Sequence, residues 1–587
     1  MRIGMRLLLL GLTGAEPAFT AWKQWLARAG VPHDAIACKD LDAPLRFTQD
    51  AGSSQPAATR YQALILSDPS LLEIALEPED RDTLRRLERE LGLRRLVAYA
   101  YPGLEHGLQA VRWSGPLDEL APVLTEAGRE VFPYLRERLP VDPGSWAYLA
   151  TPESPRTFQT LVAGPDGTAL VGIHRHPDGR EEMIQTFDAN LAQVHGLLLR
   201  RGQLEWLTRG AYVGYERHYL SVEIDDVLLG NHSWSVGAHR SDRDPGSSVR
   251  MTAADAVRAG RWARSRGLRL DLVCNGGGSE SHATAGAADP LLAALVEQDG
   301  AFGWINHTFG HADIDDLDQA GIEAEIARNL RWAARAGITL ERDVLVTGAH
   351  TGLANLAADP PRAENEHLRA ALRAQGIRFV ACDASRAYPG AGGADSPPGT
   401  PFSVGPALAI PRHPTVLPHD AVTPSQVLDR LRSEAAPGDE PILSFDQVVA
   451  TEARRMLCAA VGNDPRPHYF HQSNLIGGDD DSPGIIYTLL DAVLDRYRAH
   501  VADDEGLRQP TFAEIGQLLL RLSAWQEIQR SRSVETYRDP GAIVIENRSP
   551  APIELPITGA AVGERYGATR SGWMCAAPGT TRVELDR

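Results

Sequence analysis

Tyr219-Leu220-Ser221-Val222-Glu223-Ile224-Asp225-Asp226-Val227 reads as a hydrophobic strand that runs into two adjacent carboxylates. A strand sends successive side chains to opposite faces, so the two carboxylates are expected to diverge. One can then hold a cation while the other stays free to take a proton. Further along, Ile305-Asn306-His307-Thr308-Phe309-Gly310-His311 ends a second apolar strand on two imidazoles with a hydroxyl between them. Two imidazoles and a carboxylate are the donors that a zinc-type divalent ion accepts, with a position left for water. A second carboxylate beside such a site can deprotonate that water, which points to hydrolysis. The Thr308 hydroxyl can support a ligand or a substrate.

Working outward, β runs are expected at 219–224, 268–273, 303–306, 344–347, 377–381, 407–410 and 468–471, with helices between them. One such helix spans 322–336 and stops at Gly337. Seven strands alternating with helices over 205–535 predict a closed or nearly closed (β/α) barrel. The chemistry of that architecture sits at the C-terminal strand ends, and Asp225, His307, His350, Arg412 and His471 all fall at or just past them. Trp304 can stack on a sugar ring or fill the core. The polar stretch 230–250 reads as a rim insertion, and its His232 and His239 are competing ligands. Gly276-Gly277-Gly278-Ser279 lacks the lysine and helix onset of a phosphate loop and reads as a rim loop.

Residues 1–112 alternate strand and helix, predicting a Rossmann-like α/β domain, but Gly11 and Gly14 do not complete a dinucleotide fingerprint. The apolar start Met1–Gly11 is read as its first strand, not as a secretion signal. Residues 113–204 hold short β runs and Pro/Asp/Gly turns, predicting a β-rich, sandwich-like module. A C-terminal β module over 536–587 either stands alone or completes that one.

The chain has 587 residues, 43% hydrophobic and 23% charged, which suits a soluble protein of about three domains. A net charge of -18 argues against nucleic-acid binding. Lys23 and Lys39 are the only lysines, so the positive charge is almost all arginine. Five scattered cysteines suggest neither a disulfide framework nor a zinc knot. No apolar stretch approaches the roughly 20 residues of a membrane span.

The I-D-D and H-T-F-G-H segments resemble the first two motifs of NodB-type polysaccharide deacetylases. Residues 219–227, Gly348-Ala349-His350-Thr351-Gly352-Leu353, Arg412-His413-Pro414-Thr415 and Tyr469-Phe470-His471-Gln472-Ser473-Asn474 extend the likeness over most of the chain. With them the chain resembles the galactosaminogalactan deacetylases of filamentous fungi and their bacterial relatives. The resemblance implies a distorted NodB-like barrel beside a carbohydrate-binding module, and removal of acetyl groups from an N-acetylated amino-sugar polymer. It implies Asp225 as general base, Asp226, His307 and His311 as metal ligands, and His471 as general acid. Arg412, in Arg412-His413-Pro414, resembles the Arg-Pro segment lining the NodB site, although later in the chain than usual, and Gly348-Ala349-His350 stands where that segment is expected. Val227 replaces the usual glycine after the Asp pair. His350, Arg412, His413, Trp304 and Thr308 are the candidate substrate-binding residues. The ion is expected to be zinc, with cobalt or nickel also compatible with this donor set. A polysaccharide substrate implies an extracellular or cell-surface location. Rival readings are a carbohydrate-binding barrel without catalysis, and a metal hydrolase for another amide or ester.

Overall fold

Seven parallel strands between Val222 and His471 line up in one sheet of the computed structural model. It describes residues 2–586 apart from 42–44, 50–57, 245–246, 284–287, 299, 357, 359, 387, 389–400, 437, 439–440 and 478–483. In chain order the strands are β1 (Val222–Asp225), β2 (Leu270–Cys274), β3 (Phe302–Asn306), β4 (Val344–Leu345), β5 (Phe379–Asp383), β6 (Ala407–Pro414) and β7 (His468–His471). Their spatial order is β3-β2-β1-β7-β6-β5-β4, and a short strand, Phe402–Val404, lies antiparallel on β6. The ring is nearly closed. Its seam lies between β3 and β4, where the Val346 N–H donates to the Asn306 carbonyl at 3.0 Å.

Alternation along these strands sorts the barrel into layers. Val222, Ile224, Leu270, Leu272 and Phe470 face outward into a core shared with the surrounding helices. Val273, Ile305, Val344, Phe379, Ala381 and Ile410 face inward, where they meet Phe512 and Ile515. Those two belong to the helix Phe512–Ser531, whose start is fastened by a Thr511–Glu514 capping box. The helix plugs the end of the barrel where the strands begin. The opposite end, where the strands finish, is polar.

The predicted rim loop at Gly276 is instead a short helix, Gly276–His282. Its glycines serve close packing: a Cβ at Gly276 would come within 2.4 Å of the Trp332 ring, and one at Gly278 within 2.4 Å of the Leu228 carbonyl oxygen. The expected insertion at 230–250 folds as a small hairpin, Ser233–Ser235 with Arg240–Asp242, and residues 245–246 lie outside the described residues.

Residues on both sides of position 112 share one eight-stranded sheet. Four parallel strands (His33–Ala37, Leu7–Gly11, Ala63–Leu66, Arg94–Val97) continue in parallel into Glu181–Gln185. From there the sheet runs antiparallel through Ala169–Arg175, Phe158–Ala163 and Val123–Leu124. The C-terminal strands pair elsewhere. Val534–Asp539 lies antiparallel on Arg2–Gly4, and Ile553–Thr558 on Tyr212–Val213. No helix among the described residues is long and apolar enough to cross a membrane.

Candidate metal centre

β1 ends at Asp225, and Asp226 takes a left-handed backbone conformation with φ 62°. Strand alternation therefore stops one residue before the second carboxylate. Asp225 and Asp226 are both brought to the barrel mouth, against the expectation that they diverge. Thr308 (φ 63°), His311 (φ 55°), Ala349 (φ 49°) and His350 (φ 56°) are also left-handed. Outside glycine this conformation is disfavoured sterically and persists where the surroundings enforce it.

The surroundings here are amide side chains. Asn275 donates to the carbonyls of His307 and Thr308 at 2.5 and 3.1 Å. Asn329 donates to the Cys274 carbonyl and to Asn306 Oδ1, each at 2.8 Å, and Asn306 Oδ1 in turn accepts from the Thr308 N–H at 3.0 Å. The turn after β3 is thereby held on three sides. Gly348 packs beneath His311, and a Cβ there would lie 2.8 Å from two atoms of the imidazole ring.

The result is a converging triad. His307 Nε2 and His311 Nε2 each lie 3.3 Å from Asp226 Oδ1. His307 Nδ1 is 3.0 Å from the Val346 carbonyl, so it carries the proton and turns the Nε2 lone pair toward the carboxylate. Asp226 Oδ1 is buried and accepts no hydrogen bond. A buried carboxylate oxygen without a donor, facing two imidazole nitrogens, is a donor set suited to a divalent cation. Burial works against charge on Asp226, yet contact with His307 and the fields of His471 and His311 hold its carboxyl down to about 2. Burial likewise opposes charge on His307, but Asp226 and Asp225 keep its pKa above the ordinary value. His311 is lowered, by burial and then by His307.

Asp225 stands beside the triad in a different grip. Arg412, fully buried on β6, donates Nη1 and Nη2 to its two oxygens at 2.8 Å each. Nη1 also reaches Glu223 Oε2, and Nη2 reaches His350 Nε2, each at 2.9 Å. The guanidinium lies over the Tyr469 ring, 4.3 Å from its centroid, and the Tyr469 hydroxyl donates to Asp383 at 3.0 Å. Burial pushes the Asp225 carboxyl up, but Arg412 outweighs it and leaves Asp225 well below the usual carboxylate range. Glu223 shows the opposite balance: burial dominates, and its carboxyl is raised to about 8. His350 is held well below its ordinary value by burial and then by the Arg412 charge. His471, half-buried at the end of β7, feels the fields of Asp225 and Asp226, yet burial keeps it below its ordinary value.

Asp225, Asp226, His307, Thr308, His311, His350, Arg412 and His471 are thus gathered at one mouth. Trp304 and His413 are not. Ile305 faces the barrel interior, so Trp304 points the other way and packs on the outer core. Arg412 faces in, so His413 faces out, where its Nε2 is 3.1 Å from Asp464. His232 is exposed, and His239 is exposed and pairs with Asp429 at 2.9 Å. Neither belongs to the triad. The roles of Glu223, Asn275, Asn329 and Gly348 are absent from the sequence reading.

No family model matches the chain, and no curated protein does. Among solved structures, the crystal structure of Agd3, described as a novel carbohydrate deacetylase, superposes with a TM-score of 0.82 at 17% identity. The match covers 100% of this chain and 99% of that one. The chain has that deacetylase's fold. A family 4 carbohydrate esterase from Streptomyces lividans (12% identity, 48% of this chain, 89% of that one) superposes at a TM-score of 0.23. The peptidoglycan deacetylase PdaC from Bacillus subtilis (11% identity, 54% of this chain, 97% of that one) superposes at 0.24. Neither superposition supports a residue correspondence. The likeness to Agd3 spans every region named from sequence, including the 113–204 strands, and agrees with the fold that the sequence resemblance implied.

Proposed function

We propose that the chain is a metal-dependent deacetylase that hydrolyses the acetamide of N-acetylated amino sugars in a polysaccharide and releases acetate. The observation that carries this reading is the donor-free Asp226 Oδ1 facing two imidazole nitrogens, beside a second carboxylate clamped by an arginine. Asp226, His307 and His311 would hold the ion, with zinc favoured and cobalt or nickel compatible. A bound ion supplies Lewis-acid polarisation of the acetamide carbonyl and acidifies water.

The chain's own side chains do the rest. Asp225 takes the proton of the attacking water. Its low pKa makes it a weak base, so the water has to be acidified for the transfer to proceed. Arg412 keeps that carboxylate ionised and fixes its two oxygens in direction. His471 donates a proton to the departing amine nitrogen. Burial holds His471 below its ordinary value, so it rests uncharged at neutral pH and would take up the proton that Asp225 removes from water before passing it to the amine. His350 and Arg412 back Asp225 at the mouth, and Thr308 Oγ1 is buried without a hydrogen-bond partner.

A binding role for an aromatic patch beside the N-terminal sheet, partly on the separate two-stranded pair Trp113–Pro116 and Trp146–Leu149, accompanies this reading. Tyr99 and Tyr148 stack at 5.7 Å, beside Tyr101, which is 62% exposed, and Trp146, which is 47% exposed. Such rings present flat apolar faces with polar edges, as a sugar-binding surface needs.

Acetate release from N-acetylgalactosamine oligomers, compared with N-acetylglucosamine oligomers, tests the activity. Faster release from the former supports the favoured polymer class. Polymer binding with no acetate from either, zinc being present, would replace the enzyme by a binding protein.

A further inference from the structure

A β-hairpin far from the barrel mouth carries a second imidazole–carboxylate cluster. His174-Arg175-His176 lies at the end of the strand Ala169–Arg175. Residues two apart on a strand share a face, so both imidazoles stand on one side and the exposed Arg175 on the other. Glu182, on the antiparallel strand Glu181–Gln185, lies directly across from His174. The turn between them is closed by main-chain bonds of 2.9 Å, from Gly179 N–H to the His176 carbonyl and from His176 N–H to the Arg180 carbonyl.

One ligand atom from each of His174, His176 and Glu182 lies within 4.8 Å of the other two. His176 Nε2 is 3.5 Å from Glu182 Oε2, and the two imidazole centroids are 4.3 Å apart. Arg95 Nε donates to Glu182 Oε1 at 2.8 Å, which leaves Oε2 turned toward the imidazoles. His106 Nδ1 is 3.2 Å from that same oxygen.

A closed hydrogen-bond network would account for Glu182, but not for the imidazoles. His174 Nδ1 is buried with no hydrogen-bond partner and His174 is only 6% exposed, while buried His176 Nε2 has only the long 3.5 Å contact to Glu182. Buried polar atoms are almost always satisfied, so one unsatisfied and one poorly satisfied ring nitrogen beside a carboxylate call for a ligand. The backbone also shapes itself to the ring: a Cβ at Gly107, whose φ is 70°, would come within 2.6 Å of His174 Cδ2. His106, His176 and Glu182 open onto a cavity of about 510 Å³ that Arg81, Arg85 and Arg180 also line.

We propose that His174, His176 and Glu182 form a second metal site, which binds one divalent transition-metal ion and leaves a coordination position open toward this cavity. Two imidazole nitrogens and one carboxylate favour a zinc-class ion over calcium or magnesium, which take oxygen ligands.

The test is metal content per chain after chelator treatment and dialysis against zinc, measured by mass spectrometry on the full-length protein. Three proteins are compared: wild type, His176→Ala, and the barrel double variant Asp226→Asn/His307→Ala. The proposal expects two ions in the wild type. It expects one in His176→Ala, with acetate release from the amino-sugar oligomers matching the wild type, and one in the barrel variant. A single ion in the wild type that the barrel variant loses, or two in His176→Ala, overturns it. Thermal unfolding of the barrel variant with and without zinc gives a readout that does not rest on the alanine variant's fold. A zinc-dependent rise of a few degrees supports the second site, and no rise overturns it. Failure of acetate release in the wild type would leave both readouts intact and would count only against the deacetylase reading.

Discussion

The two histidine–carboxylate clusters of this molecule are built in different ways. At the barrel mouth the ligand-bearing residues Asp226 and His311, together with Thr308 between the histidines, take left-handed backbone conformations. The hairpin cluster uses regular strand geometry, with His174 and His176 on one face and Glu182 opposite, and none of its three members has positive φ. Strained backbone persists where neighbouring structure enforces it, and it tends to mark sites where geometry performs chemistry. The barrel cluster also has an ionised carboxylate, Asp225, held by Arg412 beside it, the proposed general base. The carboxylate of the hairpin cluster is paired with Arg95, and there is no second carboxylate in its triad. On the two proposals above, the same donor types would serve catalysis in one place and ion binding in the other.

The largest expected contrast separates the two clusters by rate. Asp225→Asn should lower kcat for acetate release by about 10²- to 10⁴-fold while the bound barrel ion is retained. Steady-state kinetics with metal analysis checks this, and a mild effect would dissolve the distinction between the clusters. Next comes stability. Arg412→Met leaves the buried, ionised Asp225 without its guanidinium partner, a loss of about 3–5 kcal/mol readable by urea unfolding.

Two glycine substitutions then sharpen the comparison. Gly348→Ala drives a methyl group into the His311 ring and should weaken barrel metal affinity about 10- to 100-fold, as measured by competition with a chelating dye. Gly107→Ala drives one into the His174 ring and should spare acetate release.

The smallest effect concerns pH. The Glu223 carboxyl is raised to about 8 in the folded chain from its ordinary value of 4.5. Between those values the folded state keeps a proton that the unfolded state has lost, so stability falls as pH rises through this window. Thermal unfolding at pH 5 and pH 8 should show that loss in the wild type and a flatter response in Glu223→Gln.

Much of the barrel and its mouth was legible in the sequence, because both follow from local signals. Apolar runs marked all seven strands, and polar residues just past their ends marked the site. The same alternation that places Ile305 and Arg412 inside could have excluded Trp304 and His413, each one position away and so on the outer face. At Asp226 the rule itself failed, because a left-handed residue ends the strand one position early. Other features could not be read locally. Asn275 and Asn329 matter because tertiary folding brings their amides to carbonyls of distant loops, and Gly348 because it lies beneath His311. The single sheet that joins residues before and after 112 rests on the pairing of Arg94–Val97 with Glu181–Gln185, a contact between strands far apart in the chain.

Zinc titration of chelator-stripped protein, with acetate release followed at each addition, tests the central claim most directly. The account predicts that activity absent from the stripped wild type returns with zinc and saturates, and that stripped His307→Ala stays inactive at every zinc level. Full activity in the stripped wild type, or recovery by His307→Ala equal to that of the wild type, would contradict it.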